Sequence, residues 1–123
     1  ILKDEDLNKT FNGLYKILKC NGIFIFDISS FYKLKYILNN NTFFEEKQRI
    51  CYCWENEFDE NTSIITMRLN FFIPEGKLYY RFEEVHQQRA YKTETIIEKL
   101  QESGFDDVKT YSSERIFFAA RKL

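Results

Sequence analysis

The spacing of apolar and polar residues predicts a helix at the start of the chain, followed by one buried strand. Apolar side chains recur at helical spacing between Asp4 and Lys19, which predicts an amphipathic helix capped by Asp4. Asn21-Gly22 ends it, because glycine accepts the left-handed conformation. The run from Ile23 to Ile28 is apolar except for Asp27 and does not alternate. This run predicts a central strand buried on both faces, as in an α/β sheet.

The middle of the chain changes to a period of two. Alternating apolar positions predict three strands within residues 49–90, and turn-forming clusters at residues 59–62 and 74–77 separate them. Three strands joined by short turns are typical of an antiparallel meander. The polar passage before them, residues 42–48, carries no strand pattern. We therefore predict an antiparallel insertion at about residues 49–90.

Shorter elements are predicted on either side of this insertion. Ser29 or Ser30 is suited to cap a helix over about residues 31–38. Thr93 or Thr95 begins another helix, and Gly104 ends it. Two further strands follow, at residues 105–111 and 115–121.

Composition limits the possible functions. The length of 123 residues predicts a single domain, residues 1–123. With 18 basic and 19 acidic side chains, the chain lacks the basic surface that nucleic acid requires. We find no run long enough to span a membrane and no signal peptide, so we expect neither nucleic acid nor membrane as a partner. The odd number of cysteines, 3, predicts reduced thiols and a cytoplasmic location.

Several stretches together resemble a known family. Residues 18–27 (LKCNGIFIFD), 96–105 (IIEKLQESGF) and 114–122 (ERIFFAARK) read as a corner and strand, a helix, and a closing strand. In order and spacing they resemble the C-terminal half of class I S-adenosylmethionine-dependent methyltransferases, with Cys20-Asn21 where the family has proline-glycine. Residues 31–38 and 83–91 are similar to the subset that carries an antiparallel insertion over the active site.

The resemblance implies an α/β fold: the C-terminal part of a Rossmann-like methyltransferase sheet plus a three-stranded antiparallel meander. It implies a fragment that supplies the substrate-side lid and part of the core sheet, with a small-molecule methyl acceptor. A non-catalytic α/β module that binds a small ligand or pairs with a partner is the alternative. The first residue is Ile1 rather than Met, so we expect the chain to be a piece of a longer protein.

The family's glycine-rich cofactor loop has no counterpart among the four glycines of the chain. We therefore expect S-adenosylmethionine to bind only the full-length protein and the isolated chain to be inactive. In the family the fifth strand lies between the fourth and the seventh, and the fourth is missing. The edge of residues 23–28 is then unpaired, and we expect the missing N-terminal half or another chain to cover it.

Candidate site residues each have two interpretations. Asp27 is either a capping or turn carboxylate or a contact to substrate or cofactor. His86, the only histidine, is either a packed residue or a general base or substrate contact. Arg89 either forms a salt bridge with Glu83 or Glu84 or binds substrate, together with nearby Tyr91.

Aromatic residues of the meander are either core or pocket walls; the candidates are Tyr52, Trp54, Tyr79 and Tyr80. Cys51 and Cys53 point to one face, but zinc requires four ligands, so we predict no metal site. No catalytic residue is assigned. The residues predicted to bind substrate are Asp27, Tyr32, Trp54, His86, Arg89 and Tyr91.

Overall fold

A helix precedes the strands at each end of the chain, and four consecutive strands fill its middle. The structure is a computed structural model that describes residues 1–123. In chain order the elements are α1 (Asp4–Ile17), β1 (Ile23–Ser29), a π-helical turn (Lys33–Leu38), β2 (Thr42–Lys47), β3 (Ile50–Asp59), β4 (Ile64–Glu75), β5 (Leu78–Arg89), α2 (Thr93–Glu102), β6 (Asp106–Ser112) and β7 (Arg115–Arg121). No helix is long and apolar enough to cross a membrane.

These elements form two units, each with its own antiparallel sheet. The three-strand unit comprises residues 1–33 and 90–123, with strand order β1-β7-β6. The four-strand unit comprises residues 34–89, with strand order β2-β3-β4-β5. The fold is therefore mixed α/β with two antiparallel sheets. The single-domain boundaries drawn from the sequence stay a prediction.

The core of the three-strand unit lies between its sheet and its two helices. α1 and α2 place their buried apolar residues against the same face of the sheet, together with Phe105 and the inward side chains of β7. Phe118 of β7 is 1% exposed and stacks on Phe26 of β1 with ring centroids 4.9 Å apart. Burying a side chain of this size contributes about 1.5–3 kcal/mol. This layer is the main apolar core of the chain.

Strand β1 differs from its prediction on one face. Phe24, Phe26 and Ile28 pack against the helices, as expected. Ile23 and Ile25 are 50% and 68% exposed, so the prediction of burial on both faces was wrong. The reason is that α1 and α2 cover the same side of the sheet, and no other element of the three-strand unit covers the other side. β1 pairs only with β7, so it is an edge strand here, as predicted.

In the corner between α1 and β1, Asn21 and Gly22 have different roles from those predicted from the sequence. Asn21, not Gly22, adopts the left-handed conformation, with φ of 64°. Gly22 is needed for space instead, because an added Cβ would lie 2.8 Å from the carbonyl oxygen of Lys19. Lys122 completes the corner: its Nζ donates to the carbonyl oxygens of Tyr15 and Leu18 at 2.7 and 2.9 Å. A lysine at the end of a helix satisfies carbonyls that have no partner within the helix.

The helices begin within one residue of the starts predicted from Asp4 and Thr93, but most predicted caps, Thr95 included, were wrong. Lys3 and Lys92 occupy the cap positions and make no side-chain cap hydrogen bond. Asp4 and Thr93 lie one residue inside their helices, where Asp4 acts on the positive end of α1 instead. Ser30 does cap the second helical segment, since its Oγ accepts a hydrogen bond from the Lys33 amide at 3.1 Å.

The antiparallel sheet has four strands rather than the predicted three. β2 was missed because every one of its residues is exposed, so no apolar alternation marks it. It pairs with β3 in continuous register, from Thr42 opposite Glu55 to Lys47 opposite Ile50. The three predicted strands are present as β3, β4 and β5. The insertion therefore begins earlier than residue 49.

Three consecutive asparagines continue the β2–β3 pairing. The Asn40 amide donates to the carbonyl oxygen of Asn56, and Asn39 Oδ1 accepts from the Phe58 amide, both at 3.1 Å. Asn56 Nδ2 donates in turn to the carbonyl oxygen of Asn41 at 3.1 Å. The asparagines thus end the helical segment, as predicted, and also hold it to the end of β3.

Candidate functional site

One face of the four-strand sheet gathers aromatic side chains; we call it the aromatic face. Cross-strand pairing arranges it in rows that run across the sheet. One row consists of Phe43, Trp54, Leu69 and Glu84. The next row consists of Glu45, Tyr52, Phe71 and Phe82. Ring centroids lie 5.2 Å apart for Phe43 and Trp54, 5.9 Å for Tyr52 and Phe71, and 6.2 Å for Phe71 and Phe82.

This face is open along its aromatic rows. Phe43, Phe82 and Tyr80 are exposed, and Tyr52, Trp54 and Phe71 are half-buried. At the other end of the same face Phe58, Ile65 and Met67 are buried. Contiguous exposed aromatic surface is unusual in a soluble protein and is typical of binding surfaces.

A carboxylate and an imidazole lie at one margin of the aromatic face. His86 Nε2 and Glu84 Oε2 are 2.9 Å apart, and both side chains are partly exposed. His86 lies opposite Met67, in the row next to that of Trp54. A carboxylate bonded to one ring nitrogen fixes the orientation of an imidazole and leaves the other nitrogen available. The pair is therefore an oriented polar group beside an apolar floor.

A second carboxylate lies at the opposite margin, on β2. The Tyr52 hydroxyl donates a hydrogen bond to Glu45 Oε2. This bond to Glu45 raises the pKa of Tyr52 above its ordinary value, because it favours the protonated phenol. Between the two margins, the Trp54 indole Nε1 is shielded from solvent and has no hydrogen-bond partner.

The opposite face of this sheet, which we call the polar face, carries most of the charged side chains of β3, β4 and β5, together with exposed Phe44 and Tyr79. Arg81 donates to Asn70 Oδ1 at 2.9 Å and to Glu83 Oε2 at 3.0 Å. Cys51 and Cys53 lie on this face as free thiols. Such a network is typical of a solvated sheet surface.

The predicted site residues fall into separate places. Trp54 and His86 share the aromatic face, whereas Arg89 ends β5 on the polar face. Glu83 bonds to Arg81, and Glu84 bonds to His86. A salt bridge of Arg89 with either carboxylate stays a prediction.

The other three belong to the three-strand unit. Asp27 lies within β1 and accepts a hydrogen bond from Arg115 Nε of β7, so it is neither a cap nor a turn residue. Tyr91 is a core residue whose hydroxyl donates to the Ile1 carbonyl oxygen at 3.0 Å. Tyr32 is exposed. Substrate binding by all six residues stays a prediction.

Sequence reasoning missed Phe43 and Glu84 as site candidates. Phe43 lies on β2, which no alternation revealed. Glu84 was weighed only as a salt-bridge partner. The signal that finds both is cross-strand register, because each occupies one end of the row through Trp54.

The glycines of the chain do not fit a cofactor cradle. Gly104 adopts a φ of 108° and lies under the Tyr15 ring, where an added Cβ would be 2.9 Å from Cζ. Gly22 is packed against Lys19, Gly76 is in the β4–β5 turn, and Gly13 is inside α1. Gly22, Gly76 and Gly104 serve the local fold, and none of the four glycines forms a loop that a nucleoside could approach.

Comparison with solved structures defines the class of fold. A crystal structure of an S-adenosylmethionine-dependent methyltransferase from Clostridium acetobutylicum ATCC 824 is 33% identical and superposes with a TM-score of 0.88. The match covers 99% of this chain and 53% of that one. CcbJ methyltransferase from Streptomyces caelestis shares the fold, with a TM-score of 0.84 at 11% identity over 100% of this chain and 56% of that one.

Curated relatives agree with this class. "Putative methyltransferase YqeM" of Bacillus subtilis (strain 168) is 31% identical over an alignment that covers 96% of this chain and 52% of that protein. "Putative methyltransferase GWCH70_2453" of Geobacillus sp. (strain WCH70) is 30% identical over 99% of this chain and 54% of its own length. No protein-family model matches the chain.

The chain is therefore homologous to the C-terminal half of proteins described as S-adenosylmethionine-dependent methyltransferases, which confirms the resemblance noted in the sequence. It spans about half the length of the curated relatives it matches.

Proposed function

We propose that this chain supplies the substrate-side lid and part of the core sheet of an S-adenosylmethionine-dependent methyltransferase. The observation that carries the proposal is the match of nearly the whole chain to half of a methyltransferase structure at 33% identity. The lid is the four-strand sheet, whose aromatic face offers apolar surface to a small-molecule methyl acceptor. Methyl transfer requires alignment and exclusion of water more than acid–base groups, and a rigid aromatic sheet face suits that task.

The N-terminal half of the full-length protein completes the sheet of the three-strand unit in this proposal. Two features of β1 support it: one edge lacks a strand neighbour, and Ile23 and Ile25 are exposed on the uncovered face. An exposed apolar edge strand invites pairing with another chain segment. The same half carries the Rossmann-like strands and the cofactor loop that this chain lacks. When bound there, S-adenosylmethionine supplies the methyl group. Reduced thiols favour a cytoplasmic location.

Calorimetric titration with S-adenosylmethionine tests this proposal. The isolated chain should show no binding. Adding the separately expressed N-terminal half should restore a saturable binding signal. Binding of S-adenosylmethionine to the isolated chain would contradict the proposal. So would a result in which neither the mixture of halves nor the intact full-length protein binds it. The intact protein is the positive control, since two halves that fail to associate leave it unaffected.

A further inference from the structure

We propose that the aromatic face of the four-strand sheet binds the planar, apolar part of a small amine, whose ammonium group is held by Glu84. The assignment of this amine as the methyl acceptor rests on the proposed function. Binding of the amine itself requires no cofactor.

The first support is the floor that the two rows provide. Phe43 contacts Trp54, and Phe71 contacts both Tyr52 and Phe82, so the two rows together place rings on all four strands. These residues sit on a rigid, continuously paired sheet, which fixes their spacing. Ring faces carry partial negative charge, and they attract a cation or stack with a flat apolar group.

The second support is the charge of this face. It carries three carboxylates, Glu45, Glu75 and Glu84, against one lysine, Lys47, at the far end of β2. Glu45 Oε2 accepts from Tyr52 at the β2 margin, whereas Glu84 ends the row that runs through Trp54. His86 contacts Oε2 of Glu84, which leaves Oε1 to accept from a ligand ammonium.

These features select a positively charged ligand over a negative one. A carboxylate ligand of the same shape would meet the same floor but would be repelled by Glu84. A neutral ligand would gain the floor alone. The site therefore discriminates by charge at one margin and by shape across the rows.

The chain contains a built-in reporter for the test. Trp54 is the only tryptophan and lies in the row that ends at Glu84. Excitation near 295 nm, a wavelength at which simple phenyl compounds do not absorb, therefore reports on this face alone. The probes are 2-phenylethylamine and 3-phenylpropanoate, which are similar in shape and opposite in charge.

Titrating the 123-residue chain with 2-phenylethylamine should change Trp54 fluorescence saturably, whereas 3-phenylpropanoate should bind at least tenfold more weakly. Glu84→Gln should weaken amine binding about tenfold, because a charge-assisted hydrogen bond is lost. Glu83→Gln is the matched control: it is the adjacent carboxylate on the polar face and should leave amine affinity unchanged. Circular dichroism establishes that both variants fold.

Equal binding of the two probes, absence of saturable amine binding, or equal effects of the two variants would overturn the proposal. The result is independent of methyl transfer. If the chain binds the amine but the full-length protein binds no S-adenosylmethionine, the amine site stands and the proposed function is contradicted. If the full-length protein binds S-adenosylmethionine but the chain does not bind the amine, the proposed function stands and the amine site is contradicted.

Discussion

The two sheets of this chain use aromatic residues in opposite ways. In the three-strand unit Phe105 and Phe118 are each 1% exposed beneath two helices. In the four-strand unit Phe82 and Tyr80 are 43% and 58% exposed on an open face. The residue types are alike, and the difference is the cover that helices provide. Aromatic side chains in the first unit stabilise the fold, whereas those in the second remain available for binding.

The largest expected effect is the loss of a core ring. Phe118→Ala removes a fully buried side chain and leaves a cavity against Phe26, so the free energy of unfolding should fall by about 3–5 kcal/mol. Phe82→Ala, on the open face, should cost only about 0.5 kcal/mol. Urea denaturation measures both. Similar losses for the two variants would mean that the open face is also part of the stabilising core.

Two glycine substitutions within the three-strand unit should change the free energy of unfolding in opposite directions. Gly104→Ala should lower the free energy of unfolding by about 2 kcal/mol, because its φ is 108° and the Tyr15 ring occupies the space of a Cβ. Gly13→Ala should raise it by about 0.5–1 kcal/mol, since it lies inside α1 with open space around it. Thermal denaturation of both variants measures these changes. A stabilising Gly104→Ala would contradict the left-handed φ of Gly104 and its contact with the Tyr15 ring.

The Lys122 cap should contribute less. Lys122→Met removes two hydrogen bonds to the end of α1 and the ammonium 4.5 Å from the Tyr15 ring centroid, so we expect a loss of about 1 kcal/mol. Lys109→Met, at an exposed position on β6, serves as the control and should change stability little. Equal melting temperatures for the two variants would argue against the cap.

The smallest effect concerns a hydrogen bond on the aromatic face. The raised pKa of Tyr52 means that the folded chain holds this proton to a higher pH than the unfolded chain does. The contribution to stability is therefore complete below the ordinary value for tyrosine, about 10, and is lost as pH rises through the folded value. NMR titration of the Tyr52 ring should show a lower pKa in Glu45→Gln. An unchanged value would contradict the contact with Glu45.

The sequence was sufficient for the elements whose side chains alternate or repeat clearly. β7 was predicted at its observed bounds, and β3 to β5 were predicted because one face of each is apolar over part of its length. The family resemblance also rested on residues in the right order. Gly104 ended α2 as predicted, because only glycine readily adopts its φ.

Features that depend on a neighbouring element could not be predicted from the sequence. Thr42–Lys47 is a strand only because β3 offers an edge, and its exposed residues show no period. The uncovered face of β1 follows from both helices packing on one side, which local sequence does not encode. The rows of the aromatic face require cross-strand register, so Phe43 and Glu84 were not recognised beside Trp54.

The central proposal is that the three-strand sheet is part of a larger sheet in the full-length protein, joined at β1. Hydrogen–deuterium exchange of the β1 amides that point away from β7 tests it most directly. In the isolated chain these amides should exchange rapidly, and adding the N-terminal half of the full-length protein should slow them strongly while leaving the outer edge of β5 unchanged. Rapid exchange at β1 in a complex of the two halves, or protection of β5 instead, would contradict the claim.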